Sequence, residues 1–252
     1  MNIKISCVLI TFNEQENIRK TLKAVEWCDE IIVVDSGSTD STLEICKDFN
    51  CRIFHRDFDG YGTQKRFAVS KAANDWILSL DADEVVTENL KNEIMNELAN
   101  NEGNFTGYFL ARRLFFLGRK FKYGRESKDY QLRLFNKKYG NYTDDTVHEK
   151  VVVNGDVKKL KGELLHYSYS NIHQYFQKFN IYTTKAAEKL FGQGKKKSIT
   201  FTVLSFPVYF TKNYFIYGNF LNGFQGFLWA LFSSLYPVVK YFKLWGLYKE
   251  SE

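Results

Sequence analysis

The chain of 252 residues is 44% hydrophobic and 25% charged, with a formal net charge of +6. Its apolar content is ample for the core of one large domain, or of one domain with an appendage. The four cysteines, Cys7, Cys28, Cys46 and Cys51, show neither C-x-x-C pairing nor metal-like spacing. They argue against a cysteine-held metal and read as reduced thiols of a cytosolic protein.

Nothing at the start resembles a secretory leader, because the polar Met1-Asn2-Ile3-Lys4 leads straight into a strand. Residues 4–10 form a short apolar run suited to a buried strand, and Asn13 followed by Glu16 predicts a capping-box helix start. Ile18, Leu22 and Val25 then recur at helical spacing. Residues 30–34 predict a second buried strand, and Ser41 with Glu44 opens a second helix in the same manner. A shorter strand follows at residues 52–54, a helix at 61–74, a strand at 76–80, and a helix marked by Leu90, Ile94 and Leu98. Strands alternating with helices at this pitch indicate βαβ units and a parallel sheet.

After Gly107 the pattern changes to strand-like pieces at residues 107–113, 130–135, 150–153 and 163–169, which predict a mixed second half to the same sheet. A helix over residues 171–191 follows. Ile172, Tyr175, Phe179, Tyr182, Ala186 and Leu190 are expected on one face of it.

Three predicted strand ends carry polar residues: Thr11 and Asn13, then Asp35 and Ser36, then Asp81 and Asp83. Polar side chains at successive carboxyl ends of a parallel sheet build one crevice. The cluster Leu80-Asp81-Ala82-Asp83-Glu84 is the most telling of these, because no basic residue adjoins it in sequence. Grouped carboxylates are hard oxygen ligands for Mg2+ or Mn2+ bridging to a substrate diphosphate. The alternative is that Asp81 or Asp83 only caps the next helix. No G-x-G-x-x-G follows the first strand and no Walker A motif is present, which disfavours a dinucleotide or P-loop site.

In order and spacing, Ile10-Thr11-Phe12-Asn13-Glu14, Val33-Val34-Asp35-Ser36-Gly37-Ser38-Thr39-Asp40 and Leu80-Asp81-Ala82-Asp83-Glu84 resemble the family 2 glycosyltransferases of GT-A fold. The likeness continues through Gln64-Lys65-Arg66-Phe67-Ala68, Arg133-Leu134-Phe135 and Val147-His148-Glu149. That wider pattern is similar to bacterial lipopolysaccharide-core β-1,4-glucosyltransferases and covers nearly the whole chain. The resemblance implies an α/β fold with a Rossmann-like nucleotide-binding half and a mixed-sheet acceptor half. It implies that Thr11 and Asp35 contact the uracil and ribose of a UDP-sugar, with Asn13, Glu14 and Ser36 beside them. Asp83 would ligate the metal, while Asp81 would hold the sugar or ribose or assist at the metal. Many family members have two aspartates where this chain has Asp35-Ser36, and Arg-Asn where it has Lys65-Arg66. Either cation is expected to pair with the diphosphate.

Inverting transfer needs a base for the acceptor hydroxyl and an electrophile for the departing diphosphate. Glu149 is the first candidate base, with His148 orienting it or a phosphate, followed by Asp129 and Asp145. His55, His166 and His173 have no metal-like spacing and read as structural or surface residues.

From Lys195 onward there are seven lysines against two glutamates, 17 of the chain's 43 aromatic residues, and both prolines. Residues 213–239 carry no charge, but their asparagines, glutamine, serines and glycines make a poor membrane span. The expected organisation is therefore a glycosyltransferase domain over 1–193 and a basic, aromatic-rich helical region over 194–252. The latter, led by Lys195, Lys196 and Lys197, would attach to anionic lipid on the cytoplasmic face of the inner membrane. The expected activity is hexose transfer, from UDP-glucose, to a lipid-anchored lipopolysaccharide-core glycan. Rival readings are transfer to polyprenyl phosphate or a peptide, and a sugar-nucleotide-binding protein without turnover.

Overall fold

The computed structural model of the protein describes residues 3–101, 103–127, 129–143 and 149–251. The first half alternates strand and helix: β1 (Ile5–Thr11), α1 (Ile18–Lys23), β2 (Glu30–Asp35), α2 (Thr42–Asp48), β3 (Arg52–His55), α3 (Tyr61–Lys71) and β4 (Trp76–Asp81). Then come β5 (Glu84–Val86), α4 (Glu88–Ala99), β6 (Gly107–Phe116), β7 (Arg119–Lys120), β8 (Asp129–Asn136), β9 (Gly140–Tyr142), β10 (Val151–Val153) and β11 (Val157–Tyr169). Helices α5 (Ile172–Gly192), α6 (Ile199–Thr211) and α7 (Gly223–Glu250) complete the chain.

The main sheet runs β3-β2-β1-β4-β8-β6-β11-β5, with β7 pairing β6. Its first four strands are parallel. Pairs β4–β8, β6–β8 and β11–β5 are antiparallel, which gives the expected mixed half. Strands β1, β2 and β4 read as continuous apolar runs because both of their faces are covered. Leu9, Val33, Leu78 and Leu80 face the helices that carry Ile18, Leu22, Leu90 and Ile94. Val8, Ile32, Val34 and Ile77 face Ala68, Val69 and Ala72 of α3 on the other side.

Several expectations are corrected. Asn13 does not cap α1; its side-chain oxygen accepts from Thr39 N at 2.8 Å instead. Asp40, not Ser41, accepts from the first N–H of α2, at 3.0 Å. Residues 150–153 do not join the main sheet, since β10 pairs only with β9 in a separate two-stranded ribbon. The buried line of α5 is Tyr175, Phe179, Thr183 and Ala187, and Ile172 and Tyr182 are exposed. Thr183 is hidden from a hydrophobicity reading, but its hydroxyl donates to Phe179 O at 2.8 Å and so buries without a loss.

The chain divides into two compact units, Met1–Arg113 with Asp129–Tyr167, and Leu114–Lys128 with Ser168–Glu252. This differs from the expected boundary after residue 193. Helix α5 groups with the later helices because Tyr175 and Phe179 share a core with Leu114, Phe116, Phe121 and Phe232. Within that second unit the polar residues of the uncharged run act as pins. Asn222, 1% exposed, accepts from Lys122 N and Tyr123 N and donates to Tyr123 O at 3.0 Å. Asn213 donates to Ser233 and Ser234, and Asn219 donates back to Asn213 O. A Cβ on Gly226 would stand 1.9 Å from Asn219 O, so only glycine fits there. No helix among the described residues is long and apolar enough to cross a membrane.

Candidate active site

The parallel register sets Thr11 beside Asp35 and Ile10 beside Asp81, so three strand ends open on one edge of the first unit. Asp35 is buried and both of its oxygens are engaged by its own loop. Oδ2 accepts from Gly37 N and Ser38 N at 2.8 and 2.9 Å, and Oδ1 accepts from the Ser38 hydroxyl. Asn13 N donates to Ser38 Oγ and Glu14 N donates to Thr42 Oγ1, tying the first loop to the second. Ser36 Oγ accepts from Gln64 Nε2 at 2.9 Å. Three buried polar atoms in this neighbourhood, Thr11 Oγ1, Gln64 Oε1 and Arg56 Nε, have no hydrogen-bond partner among the described residues. Such orphans are rare in folded proteins and each calls for an explanation beyond packing.

The D-x-D-E cluster is not a set of bare carboxylates. Lys65 Nζ lies 2.8 Å from Asp81 Oδ1, and Arg133 Nη2 lies 2.6 Å from Asp81 Oδ2. The expectation of no basic neighbour held only along the sequence. In space, α3 and β8 bring one cation each. Arg133 also bonds Glu84 at 2.8 Å, and Arg112 reaches Glu84 at 3.4 Å and Asp129 at 2.5 Å. Lys65 closes the other end on Glu149 at 3.4 Å. Charges therefore alternate along Glu149, Lys65, Asp81, Arg133, Glu84, Arg112 and Asp129.

These contacts set protonation. Burial disfavours the Asp81 carboxylate, but Arg133 and Lys65 outweigh it and hold its pKa far below the usual range. Burial likewise presses on Lys65 and Arg133, yet Asp81 keeps both pKa values above normal. Glu84 is fully buried and is tolerated because two guanidinium groups and the Asp81 N–H satisfy it.

Asp83 is 8% exposed, with Oδ2 at 3.4 Å from His166 Nε2. Burial lowers the imidazole pKa, but Asp83 more than reverses this and raises it. Neither aspartate caps α4, whose first turn is capped by Thr87 Oγ1 accepting from Leu90 N. That removes the capping alternative for Asp81 and Asp83. Among the described residues no group of three or more His, Cys, Asp or Glu forms a ready cage for a metal. A hard cation bound through one carboxylate and substrate phosphates needs no such cage. Asp83 offers such a carboxylate, whereas both Asp81 oxygens already face cations.

Glu149 stands within the same ionic chain, so the structure brings it together with Lys65 and Asp81. Asp129 does not share that freedom, because Arg112 takes its Oδ2 and Gln131 takes its Oδ1 at 2.7 Å. His148 and Asp145 lie outside the described residues. Sequence reasoning quoted Glu84 without a partner, read His166 as structural or surface, and did not join Arg112 to these carboxylates. It quoted Arg133 without a role, although an arginine within an apolar strand already signals a buried partner.

Residues 6–161 match the family model described as glycosyl transferase family 2. An uncharacterised glycosyltransferase of Rickettsia typhi is 34% identical over 236 residues, covering 89% of this chain and 81% of that protein. The lipopolysaccharide core biosynthesis glycosyltransferase LpsC of Rhizobium meliloti is 29% identical over 250 residues, covering 96% of this chain and 92% of its own. Among solved structures, the glucosyl-3-phosphoglycerate synthase of Mycobacterium tuberculosis is weakly similar, with a TM-score of 0.37 and 22% identity over 46% of this chain and 45% of that one.

Proposed function

From the premise that this chain belongs to glycosyl transferase family 2 and is a glycosyltransferase, we propose an inverting, metal-dependent transfer of glucose from UDP-glucose to a lipopolysaccharide-core acceptor. The observation that carries the reading is the ionic chain at the carboxyl end of β4, where Asp81, Asp83, Lys65, Arg133 and His166 meet beside Thr11 and Asp35. The acceptor class rests on the likeness to LpsC alone.

Asp83 would hold Mg2+ or Mn2+, which when bound supplies positive charge against the leaving diphosphate. Lys65 is placed to add to that charge. It is a buried ammonium balanced between two carboxylates, so an arriving diphosphate can draw it without stripping it of every partner. Thr11, Asn13, Glu14, Asp35 and Ser36 shape the nucleoside end. Asp35, Asn13 and Glu14 do so by fixing the two loops rather than by presenting open oxygens. Asp81, pinned by two cations, positions Lys65 and Arg133.

For the acceptor proton, Glu149 is the better base. Its contact with Lys65 is long at 3.4 Å, and proton uptake at Oε1 or Oε2 requires only that this contact loosen. Asp129 would first have to leave Arg112 and Gln131. A peripheral position on anionic lipid, at the cytoplasmic face of the inner membrane, would bring the enzyme to a lipid-anchored acceptor.

The test is a panel of nucleotide sugars with purified protein, Mn2+ and a lipopolysaccharide-core acceptor, scored by UDP release and product mass. UDP-glucose turnover that stops with chelator supports the reading. A different preferred donor, or full turnover in excess chelator, overturns that part of it.

A further inference from the structure

The second unit leaves an unusual surface uncovered. Along α6 and the turn after it, Phe201, Leu204 and Val208 are 61%, 63% and 66% exposed, followed by Ile216 at 73% and Phe224 at 68%. Phe201, Leu204 and Val208 recur at helical spacing and so lie along one stripe. Large apolar side chains grouped on a soluble surface mark an interaction site, whereas scattered ones mean little. Here α6 fully buries Thr202 alone; Phe206 and Phe210 are half-buried, Phe210 against Tyr214 and Phe227, while Phe201, Leu204 and Val208 stay outward.

The charge around the stripe identifies the occupant. Between Glu188 and Glu250 there is no carboxylate, and Lys189, Lys195, Lys196, Lys197, Lys212, Lys240, Lys243 and Lys249 fall in that interval. Two of the expected lipid-binding lysines are also turned toward the protein's own rings. Lys197 Nζ sits 4.6 Å from the Phe201 ring centre and 4.4 Å from that of Tyr241, and Lys196 sits 4.7 Å from Tyr248. An apolar stripe in a lysine-rich segment poor in carboxylates complements an anionic bilayer interface.

We infer that α6 and residues 212–224 lie in the plane of an anionic membrane, with Phe201, Leu204, Val208, Ile216 and Phe224 inserted below the headgroups. Insertion, rather than the Lys195–Lys197 run, supplies most of the affinity. At 13 residues α6 reaches roughly 20 Å at 1.5 Å per residue, too short to span and suited to lying flat. Asn213, Asn219 and Asn222, bonded inward as described, keep the polar atoms of this turn away from the acyl region.

This inference deepens the membrane reading and rests on it, so the experiment separates the two. Full-length protein is sedimented with vesicles of phosphatidylcholine and phosphatidylglycerol, at low and high salt, and with vesicles of phosphatidylcholine alone. Wild-type protein should bind the mixed vesicles and keep most of its binding at high salt, because apolar insertion is not screened. The double variant Leu204→Glu with Val208→Glu, changed at exposed positions, should lose affinity on the order of tenfold or more. Leu204→Ser with Val208→Ser guards against misfolding and should weaken binding in the same direction, with circular dichroism unchanged. Replacing Lys195, Lys196 and Lys197 with Gln should have the smaller effect. Double variants that bind as wild type while the lysine variant is released overturn insertion but leave the membrane reading standing. Wild-type protein that ignores all vesicles overturns both. A wild-type dimer in light scattering that the double variants convert to monomer, without vesicle binding, assigns the stripe to a second copy of the chain and overturns the inference.

Discussion

The two units bury opposite kinds of chemistry. The first hides charge: Lys65, Asp83, Glu84 and Arg133 are each less than a tenth exposed, and each is matched by an opposite charge. The second hides rings and neutral amides, and leaves several large apolar residues of α6 and the segment after it outside. A buried ion pair contributes little net stability, since desolvation offsets most of the attraction. Under the proposed function these charges act on the substrate rather than on folding. The second unit's exposed rings point in the same direction, toward work on something other than folding.

The contrast can be broken at several points, beginning with the largest effect. Asp83→Ala should lower transfer on the order of 10³-fold, several kcal/mol of leaving-group stabilisation, with vesicle binding intact. Turnover near wild type in that variant would remove Asp83 from the metal site. Arg133→Met leaves the fully buried Glu84 with only the longer contact to Arg112 and the Asp81 N–H, and should cost about 3–5 kcal/mol of stability, read from the urea midpoint. A loss under 1 kcal/mol would mean the ionic chain is dispensable for folding. Glu149→Gln should reduce kcat roughly 10²-fold while donor binding persists, and Asp129→Asn should reduce it less. The reverse order would move the base to Asp129.

The smallest effect concerns pH. Burial raises the Glu30 pKa, but the Ser6 hydroxyl, the Ala73 N–H and Arg52 together bring it below its usual value. A carboxylate with a depressed folded pKa adds stability that is present above about pH 4.3, the unfolded value, and is lost as pH falls through the folded one. The stability difference between wild type and Glu30→Gln should therefore shrink on acidification. A difference that stays constant from neutral to acid pH would show that the carboxylate's charge plays no part.

Much of the first unit was legible in sequence because its central strands are apolar on both faces and their polar residues cluster at one end. Residues 4–10, 30–34 and 76–80 announce β1, β2 and β4 in that way. The site was legible as far as its carboxylates, but their partners were not. Arg133 lies 52 residues from Asp81 and reaches it only because β8 runs antiparallel beside β4, a pairing no local pattern encodes. His166 reaches Asp83 through the β5–β11 pairing, and β5 itself is three residues long. In the second unit, aromatic residues occur on every side of the helices, so period alone could not pick the buried line of α5.

The Asn222 pin has a chemical consequence. Asn222 precedes Gly223, the sequence pair in which the following backbone nitrogen most readily attacks the side-chain amide to form a succinimide. Ring closure expels ammonia, and hydrolysis of the succinimide then leaves aspartate or isoaspartate. The attack requires the side chain to swing away from Tyr123 and Asn219, which it holds by hydrogen bonds from both ends. A carboxylate there could no longer donate to Tyr123 O and would sit buried with a like-signed oxygen facing it. Folding thus shields this bond from ageing, and any episode of local opening starts a clock that does not run backwards. Stored protein should accumulate deamidation at Asn222 in proportion to the time this turn spends open.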